Sequence, residues 1–398
     1  MHAMGARVRL DPGRVLGLWI FTMAMHKSSR RGLPTLADLR LVLRLLPRVV
    51  SGFRAPAPRA IDLELTNRCN LRCRMCWFYG ESGVGDAHRG DELSREDVFR
   101  VVDQAAQFQA RLYLGGAEPL LRRDFFEILE YIKARGLFVS FTTNGTLLDP
   151  AKADTLVRLG VDHVTFSVDG VEQLHDDIRG AGAYQRVVRA IRELVHCRAR
   201  SGSARPVIAV NMTVSDQLAT RLEETIRAVA DATGDGVDRY RIHQQWFITG
   251  EELRAHQAAT QQFLGCSSPG AAGHLIPSSQ LLDARPIADE VRALQHWPKV
   301  RSFPDLSHEE LLQYYAEGAT LDQRCVAPFV GVVIKPNGDV KFCPDEWIDD
   351  YILGNVRKDS LDAIWNNAKA RRFRSALFRQ KCFPGCTRCN FMYSIRHL

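Results

Sequence analysis

The sequence predicts an α/β protein in which parallel strands are joined by helices and a small cysteine-rich module follows. Three observations support this fold class. Short β-like runs alternate with helical stretches from residue 61 onward, polar residues repeatedly follow the strand ends, and eight of the ten cysteines lie in two groups. A chain of 398 residues is long enough for a sizeable core and an appendage.

Composition narrows the class of protein further. Hydrophobic residues make up 45% and charged residues 25% of the chain, which excludes a disordered or fibrous protein. Ten cysteines in this length are too few for a disulfide-stapled secreted domain, and no run of 18 apolar residues predicts a spanning helix. Of the net charge of +7, residues 1–60 carry +9 (11 Lys and Arg, 2 Asp and Glu), which leaves −2 for the remainder. The basic excess belongs to this first segment, so we expect no nucleic-acid partner.

Residues 1–58 are predicted to form a basic helical leader and linker. The 11-residue apolar run Val15–Met25 has the length of a signal-peptide core, but no convincing small-x-small cleavage site follows it. Residues 35–50 read as an amphipathic helix with Arg40, Arg44 and Arg48 on one stripe. Such a helix either contacts an anionic membrane peripherally or covers an apolar seam of its own domain. Ala55-Pro56-Ala57-Pro58 reads as a stiff linker.

Residues 59–245 are predicted to form an incomplete barrel of six strand–helix units. The strand candidates are 61–65, 111–115, 138–142, 163–168, 207–213 and 239–243, with helical stretches near 94–108, 123–135, 150–159, 183–199 and 217–231. Ser94, with Asp97 three residues later, is a capping signal for the first helix. In barrels of parallel strands, ligands bind at the C-terminal strand ends, and the notable polar residues follow those ends here.

A three-cysteine loop directly follows the first predicted strand. Cys69, Cys73 and Cys76 have C-x3-C-x2-C spacing. Three thiolates on one loop suit three irons of a cubane cluster, and the fourth iron then stays open to an outside ligand. A zinc knuckle is the alternative, but it requires a fourth ligand at short spacing.

This motif, with apolar Met75 before its last cysteine, resembles the signature of radical S-adenosylmethionine (SAM) enzymes. The resemblance implies a partial (β/α)6 TIM-like barrel and a [4Fe-4S] cluster whose open iron is chelated by the methionine moiety of SAM. It also implies reductive cleavage of SAM to a 5′-deoxyadenosyl radical, which abstracts hydrogen from a substrate. An external flavodoxin-like or ferredoxin-like electron donor is implied as well.

The resemblance extends to the strand ends, where it implies further SAM contacts. These are Gly115, Gly116 and Glu118 (with Ala117 inserted relative to the commonest GGEP form), Thr143 and Asn144, Ser167 and Asp169, and Asn211 and Met212. Taken singly, each is an ordinary turn or capping residue. Arg179 either pairs with a carboxylate of cofactor or substrate or forms a surface ion pair.

A second cysteine group lies in residues 321–398 and follows a predicted hairpin with Pro-Asn-Gly-Asp at its turn. The order of hairpin, helix and C-x2-C resembles the auxiliary-cluster extension of the same family, of the SPASM or shorter twitch type. The resemblance implies one auxiliary [4Fe-4S] cluster on Cys325, Cys343, Cys386 and Cys389, with Cys382 as a spare or alternative ligand. A zinc ribbon is the alternative. The cluster would either transfer electrons or only shape the pocket.

Residues 246–320 match no pattern of the family and are predicted to cap the substrate mouth. Cys266 lies in this segment and is either a hydrogen-atom donor to a substrate radical or a thiol without a role in the chemistry. We expect dehydrogenation or epimerisation of a small molecule such as an aminosugar or cyclitol. The alternatives are a maturase of a ribosomal peptide and a non-enzymatic iron–sulfur or zinc module for redox sensing or partner docking. Oxygen-labile clusters predict a cytoplasmic location.

Overall fold

The computed structural model describes residues 52–80, 91–318 and 324–393. The chain divides into two compact units, Met1–Ala55 and Pro56–Leu398, and only residues 52–55 of the first are described. The apolar run and the amphipathic helix predicted before residue 51 therefore lie outside the described residues. None of the helices in the described ranges is long and apolar enough to cross a membrane.

One ten-stranded sheet organises the second unit. Its strands are β1 (Ala60–Glu64), β2 (Arg111–Gly115), β3 (Val139–Thr143), β4 (His163–Ser167), β5 (Val207–Thr213), β6 (Arg239–His243), β7 (Val300–Phe303), β8 (Gly331–Ile334), β9 (Asp339–Lys341) and β10 (Gly354–Asn355). The strand order is β10-β9-β8-β1-β2-β3-β4-β5-β6-β7. All neighbours from β8 to β7 pair in parallel, whereas β9 and β10 pair antiparallel. The predicted α/β fold with a mostly parallel sheet is confirmed.

Helices follow most of the strands. They are α1 (Arg95–Phe108), α2 (Phe125–Ala134), α3 (Pro150–Arg158), α4 (Gln173–Arg179), α5 (Ala183–Arg200), α6 (Leu222–Ala232), α7 (Gly250–Leu264), α8 (Ala284–Leu294), α9 (His308–Tyr314), α10 (Leu361–Trp365), α11 (Ala368–Gln380) and α12 (Asn390–Tyr393). The start of α1 is as predicted, because Ser94 and Asp97 form a capping box. Helix α4, which places Arg179 beside the end of β4, was not predicted from the sequence.

Side chains alternate between two faces of the strands. On β1, Ile61 and Leu63 are buried in the core, and Asp62 and Glu64 point to the opposite, concave face. We call the space on that concave face the lumen. Tyr113, on β2, is 38% exposed although its strand has neighbours on both sides, which shows that the lumen is open. Closed eight-stranded barrels fill this space with branched apolar side chains, so a polar lumen points to a binding role.

The segment predicted as a cap also contributes to the barrel itself. Its strand β7, which was not predicted from the sequence, pairs in parallel with β6 and extends the sheet. Its helix α7 contacts the C-terminal module through a buried ion pair between Glu252 and Arg388, 2.8 Å apart. The Arg388 guanidinium also donates to the carbonyls of Tyr314 and Ala316 and lies 4.0 Å from the ring centroid of Phe247. Cap and C-terminal module are therefore packed together.

Candidate functional site

The three-cysteine loop leaves the C-terminal end of β1 and folds back on itself. The amide of Cys76 donates to the carbonyl of Cys73 (3.1 Å), and that of Gly80 donates to the carbonyl of Cys76 (2.6 Å). Two further amides point at sulfur, from Leu71 to Cys69 Sγ (3.4 Å) and from Tyr79 to Cys76 Sγ (3.2 Å). Amides that face sulfur stabilise thiolates, which are the form that binds iron.

The donor set of this loop fits an iron–sulfur cluster. All three thiols are free and partly accessible. Burial raises the pKa of Cys69, and it raises the pKa of Cys73 to about 11, against the lowering effect of Arg179. Neighbouring thiolates raise both values further, and bound iron would neutralise that repulsion. Among the described residues, no three His, Cys, Asp or Glu side chains surround the position of a single metal ion. A cubane requires wider spacing, because each thiolate binds a different iron.

The glycine-rich turn after β2 packs directly against the start of this loop. Gly116 has φ +98°, and a Cβ atom there would lie 2.4 Å from the Thr66 carbonyl oxygen. The amides of Ala117 and Glu118 donate to the carbonyls of Thr66 (2.9 Å) and Arg68 (3.0 Å). Only glycine permits this approach, so Gly116 fixes the turn against the cysteine loop.

Glu118, a predicted SAM contact, is fully buried and held by protein donors. Its carboxylate accepts hydrogen bonds from the Thr143 hydroxyl (2.8 Å) and from the amides of Asn144 (2.8 Å) and Leu120 (3.1 Å). Burial raises the pKa of Glu118, and the Asn144 amide acts against that rise. Glu118 therefore joins the turn after β2 to the end of β3.

A buried ion pair connects the ends of β4 and β5 with the cysteine loop. The Arg179 guanidinium lies 2.6 Å from Asp169 Oδ2 and 3.8 Å from Cys73 Sγ. The other carboxylate oxygen of Asp169 accepts from the Thr213 amide (2.6 Å), and the amide of Asp169 donates to His175 Nδ1 (3.1 Å). Arg179 thus pairs inside the protein, not on its surface, and faces a sulfur of the predicted cluster.

The remaining predicted SAM contacts lie in three different places. Ser167 and Asn211 pair in register at the ends of β4 and β5, and Asn211 Oδ1 is buried without a hydrogen-bond partner among the described residues. Asn144 lies at the loop, where its amide donates to Asn70 Oδ1 (2.9 Å) and lies 4.0 Å from Cys69 Sγ. Met212 is fully buried, and strand alternation places its side chain on the sheet face opposite to that of Asn211.

A cavity of about 780 Å³ lies between the cysteine loop and the cap. Met75, Cys76 and Trp77 line it from the loop, and Trp246, His274 and Leu275 line it from the cap. Leu275 is 37% exposed, one of only two large apolar side chains so exposed in the described part of the chain. The cap segment therefore meets the predicted cluster across this cavity.

Stacked rings connect this cavity wall with the C-terminal module, a feature that was not predicted from the sequence. Trp77 stacks on His274 at 5.4 Å between ring centroids, and His274 stacks on Trp347 at 4.2 Å with 6° between the planes. The Nε2 atom of His274 bonds the carbonyl of Asp345 (2.7 Å), so this nitrogen carries the proton. Nothing in the local sequence indicates these contacts, because each ring comes from a different segment.

The five C-terminal cysteines form one group. Burial raises the pKa of Cys325 to about 12 and also raises those of Cys343 and Cys386. The charge of Cys382 acts on both Cys325 and Cys386, which brings Cys382 into the group. Thiolates in such a group repel one another, so the donor set fits an iron–sulfur cluster. The division of roles among the five thiols stays a prediction.

Cys266, the predicted hydrogen-atom donor, is not among the residues that line the 780 Å³ cavity. It is buried beside Ser268, with 4.0 Å between Sγ and Oγ, in a loop whose amides bond Asp350. Burial, followed by the charge of Asp350, raises the pKa of Cys266 to about 12. Asp350 belongs to the C-terminal module, so the loop that carries Cys266 contacts that module.

A charged group in the lumen was also not predicted from the sequence. Burial raises the pKa of Asp62, Glu64 and Asp345, and each pair of neighbouring carboxylates adds to the effect. Lys341, fully buried, pairs with Glu346 at 3.1 Å. Alternation of polar and apolar residues in Ile61-Asp62-Leu63-Glu64 was the available signal, since every second residue of a barrel strand faces inward.

Two family models match the chain. The model of the radical SAM superfamily matches residues 63–208, and the SPASM model of an iron–sulfur cluster-binding domain matches residues 325–390. Similar proteins include the pre-heme d1 synthase of Dinoroseobacter shibae, 28% identical over 333 residues (80% of this chain, 75% of that protein). The mycofactocin maturase MftC of Mycobacterium ulcerans is 29% identical over 366 residues (88% of this chain, 86% of that protein).

Solved structures share the fold. SuiB of Streptococcus suis bound to S-adenosylmethionine superposes with a TM-score of 0.57 at 15% identity, over 89% of this chain and 76% of that one. The structure of anSMEcpe with bound AdoMet superposes with a TM-score of 0.50 at 16% identity, over 79% of this chain and 82% of that one. The predicted cofactors are confirmed, because a [4Fe-4S] cluster, SAM and auxiliary iron–sulfur binding are what the two matched domains imply. The chain therefore belongs to the radical SAM superfamily and carries a C-terminal SPASM domain.

Proposed function

We propose that this radical SAM enzyme modifies a peptide. The observation that carries the proposal is the cavity of about 780 Å³ beside the cysteine loop. Its wall combines Leu275, Leu281 and Pro277 with polar groups such as Gln245 and Asp216, a mixture that suits a side chain and its backbone. Similarity to the maturase MftC along 88% of the chain supports the same substrate class.

The expected small polyol receives less support. A sugar or cyclitol presents mostly hydroxyl groups, which the apolar part of this wall (Leu275, Pro277 and Leu281) leaves unsatisfied. The relatives named above are a maturase and a tetrapyrrole synthase, so they favour the peptide alternative over a polyol dehydrogenase or epimerase.

The chain's own residues would act as follows. Cys69, Cys73 and Cys76 would hold the [4Fe-4S] cluster, which together with SAM supplies a 5′-deoxyadenosyl radical. Asp169 holds the Arg179 guanidinium near Cys73. This contact fixes the cysteine loop beside the lumen. The cap segment lines the other side of the cavity.

A tetrapyrrole is the second candidate substrate, favoured by the similarity to pre-heme d1 synthase. We also propose a cytoplasmic, reducing location and a flavodoxin-like or ferredoxin-like electron donor, because the clusters are oxygen-labile and require a low potential.

Deuterium transfer distinguishes the substrates. The anaerobically reconstituted protein is reduced and incubated with SAM and one deuterated candidate: the peptide encoded beside its gene, a porphyrin carrying propionates, or an aminosugar. We expect deuterium in 5′-deoxyadenosine and a mass change only with the peptide. The variant with Cys69, Cys73 and Cys76 all replaced by Ala is the control and should release no 5′-deoxyadenosine. Deuterium transfer from the porphyrin or the aminosugar, but not from the peptide, would overturn the proposal.

A further inference from the structure

The lumen contains an arginine without an acidic partner. Arg241 lies in the middle of β6, and its neighbours Tyr240 and Ile242 are buried on the helix-facing side. Strand alternation therefore directs Arg241 into the lumen. Within the described residues, no carboxylate lies within 4.0 Å of its guanidinium, and no hydrogen bond to it is formed.

The groups around Arg241 do not compensate its charge. Burial lowers the pKa of Arg241 and the nearby charge of Arg239 lowers it further, although the guanidinium remains protonated at neutral pH. His163 and His243 are close enough for Arg241 to lower their pKa, each to about 4, in addition to burial, so both are neutral. Tyr113, which the Arg241 charge also reaches, is a neutral phenol bonded to Thr142 (3.0 Å).

The acidic residues of the lumen are on its far side. Asp62 and Glu64 are on β1, five strands away from β6 in the sheet. The charges that act on Asp62 come from Glu64, Asp345 and Lys341, and those that act on Glu64 come from Lys341, Glu346 and Lys335. The lumen is thus acidic along β1 and cationic along β6. A half-buried guanidinium without an anion is costly, and a ligand that brings one removes the cost.

We propose that Arg241 is a carboxylate-binding residue of the lumen. A guanidinium binds a carboxylate through two parallel hydrogen bonds, which gives direction as well as affinity. The register adds a reason for this position: Arg241 pairs with Asn211, and Asn211 pairs with Ser167. Arg241 therefore lies in the same layer as Asn211, whose Oδ1 is buried without a partner in the described part of the chain.

The carboxylate has two sources, the methionine moiety of SAM and the substrate. Either one would satisfy the guanidinium with the same geometry. The assignment rests on the use of the lumen as the reaction chamber, and it does not require the substrate to be a peptide.

Protection from phenylglyoxal tests the proposal without turnover. This reagent modifies accessible, unpaired arginines, and peptide mass spectrometry reports each residue separately. The holoprotein is labelled anaerobically without ligand, with SAM, with decarboxylated SAM, and with SAM plus succinate at constant ionic strength. Arg239, exposed two residues earlier on the same strand, is the internal control and should be labelled in every sample.

If the SAM carboxylate binds Arg241, SAM protects the residue and decarboxylated SAM does not. In that case Arg241→Gln weakens SAM binding about 10- to 100-fold and leaves binding of decarboxylated SAM unchanged. If the substrate carboxylate binds there, succinate protects Arg241 in the presence of SAM, and Arg241→Gln leaves SAM affinity at the wild-type value. Equal labelling of Arg241 in all four samples would overturn the proposal, and circular dichroism of Arg241→Gln establishes that the variant is folded.

Discussion

Replacing Gly116 by alanine is expected to detach the glycine-rich turn from the cysteine loop. The new Cβ would lie 2.4 Å from the Thr66 carbonyl oxygen, about 1 Å inside ordinary contact, and a backbone atom cannot rotate away. At φ +98° the alanine itself costs about 1–2 kcal/mol. Loss of the hydrogen bond from Ala117 to Thr66 costs about 1 kcal/mol more. The sum is about 2–3 kcal/mol, concentrated at the cluster loop.

Iron content measures this effect. We expect about eight irons per wild-type chain, on the basis of two [4Fe-4S] clusters, and a fall toward about four in Gly116→Ala. Gly136→Ala is the matched control, because Gly136 also has positive φ (+68°) but no atom lies within 4 Å of the position that its new Cβ would occupy. Gly136→Ala should therefore have a similar conformational cost in folding free energy and keep all its iron. Wild-type iron content and SAM affinity in folded Gly116→Ala would refute this account.

Three further outcomes are expected. Arg388→Met leaves Glu252 buried without its partner and should lower the free energy of unfolding, measured by urea titration, by about 3–5 kcal/mol. The double variant Arg388→Met/Glu252→Gln should recover part of that loss. An equal loss of stability in the single and the double variant would contradict the ion-pair account. Cys266, with a pKa of about 12, should react with iodoacetamide at pH 8 about a thousandfold more slowly than a free thiol, as measured by peptide mass spectrometry against the urea-unfolded chain. His163 is neutral in the fold because burial, followed by Arg241, lowers its pKa to about 4, whereas the unfolded chain binds a proton near pH 6.5. Stability should therefore fall as the pH drops from about 6.5 toward 4, and His163→Gln should flatten the dependence of Tm on pH.

Local patterns explain which parts of the fold were predictable. The six barrel strands appear in the sequence because apolar residues alternate or run together in segments of five to seven residues, bounded by turn residues. For two of the elements that were missed, the physical reason is plain. The helix α4 is too short for a recognisable period, and β7 has only four residues within a segment without other strand signals. Pairing partners such as β8 with β1 are separated by about 270 residues, and no local pattern encodes that.

In the candidate site, too, local patterns predicted some residues, whereas the roles of others depend on contacts between distant segments. Cysteine spacing predicts ligands because all three donors lie on one loop, and Met212 could have been placed on the helix-facing side by alternation alone. The partners of Glu118 and Arg179 depend on how strand ends meet in space, so their sequence-based roles stay predictions. Arg241 was overlooked because an unpaired charge becomes visible only when all its neighbours are known.

The parallel pairing of β8 with β1 has a consequence for truncation. Residues Ala60 to Leu63 share their ladder with Gly331 to Ile334, and the Cys69 loop begins directly after that strand. A fragment ending before residue 325 would expose one whole side of β1 as unpaired backbone, a template for self-association. The N-terminal cluster loop and the C-terminal module therefore form one indivisible unit. A fragment that ends before residue 325 should therefore fail to be soluble with its first cluster in place.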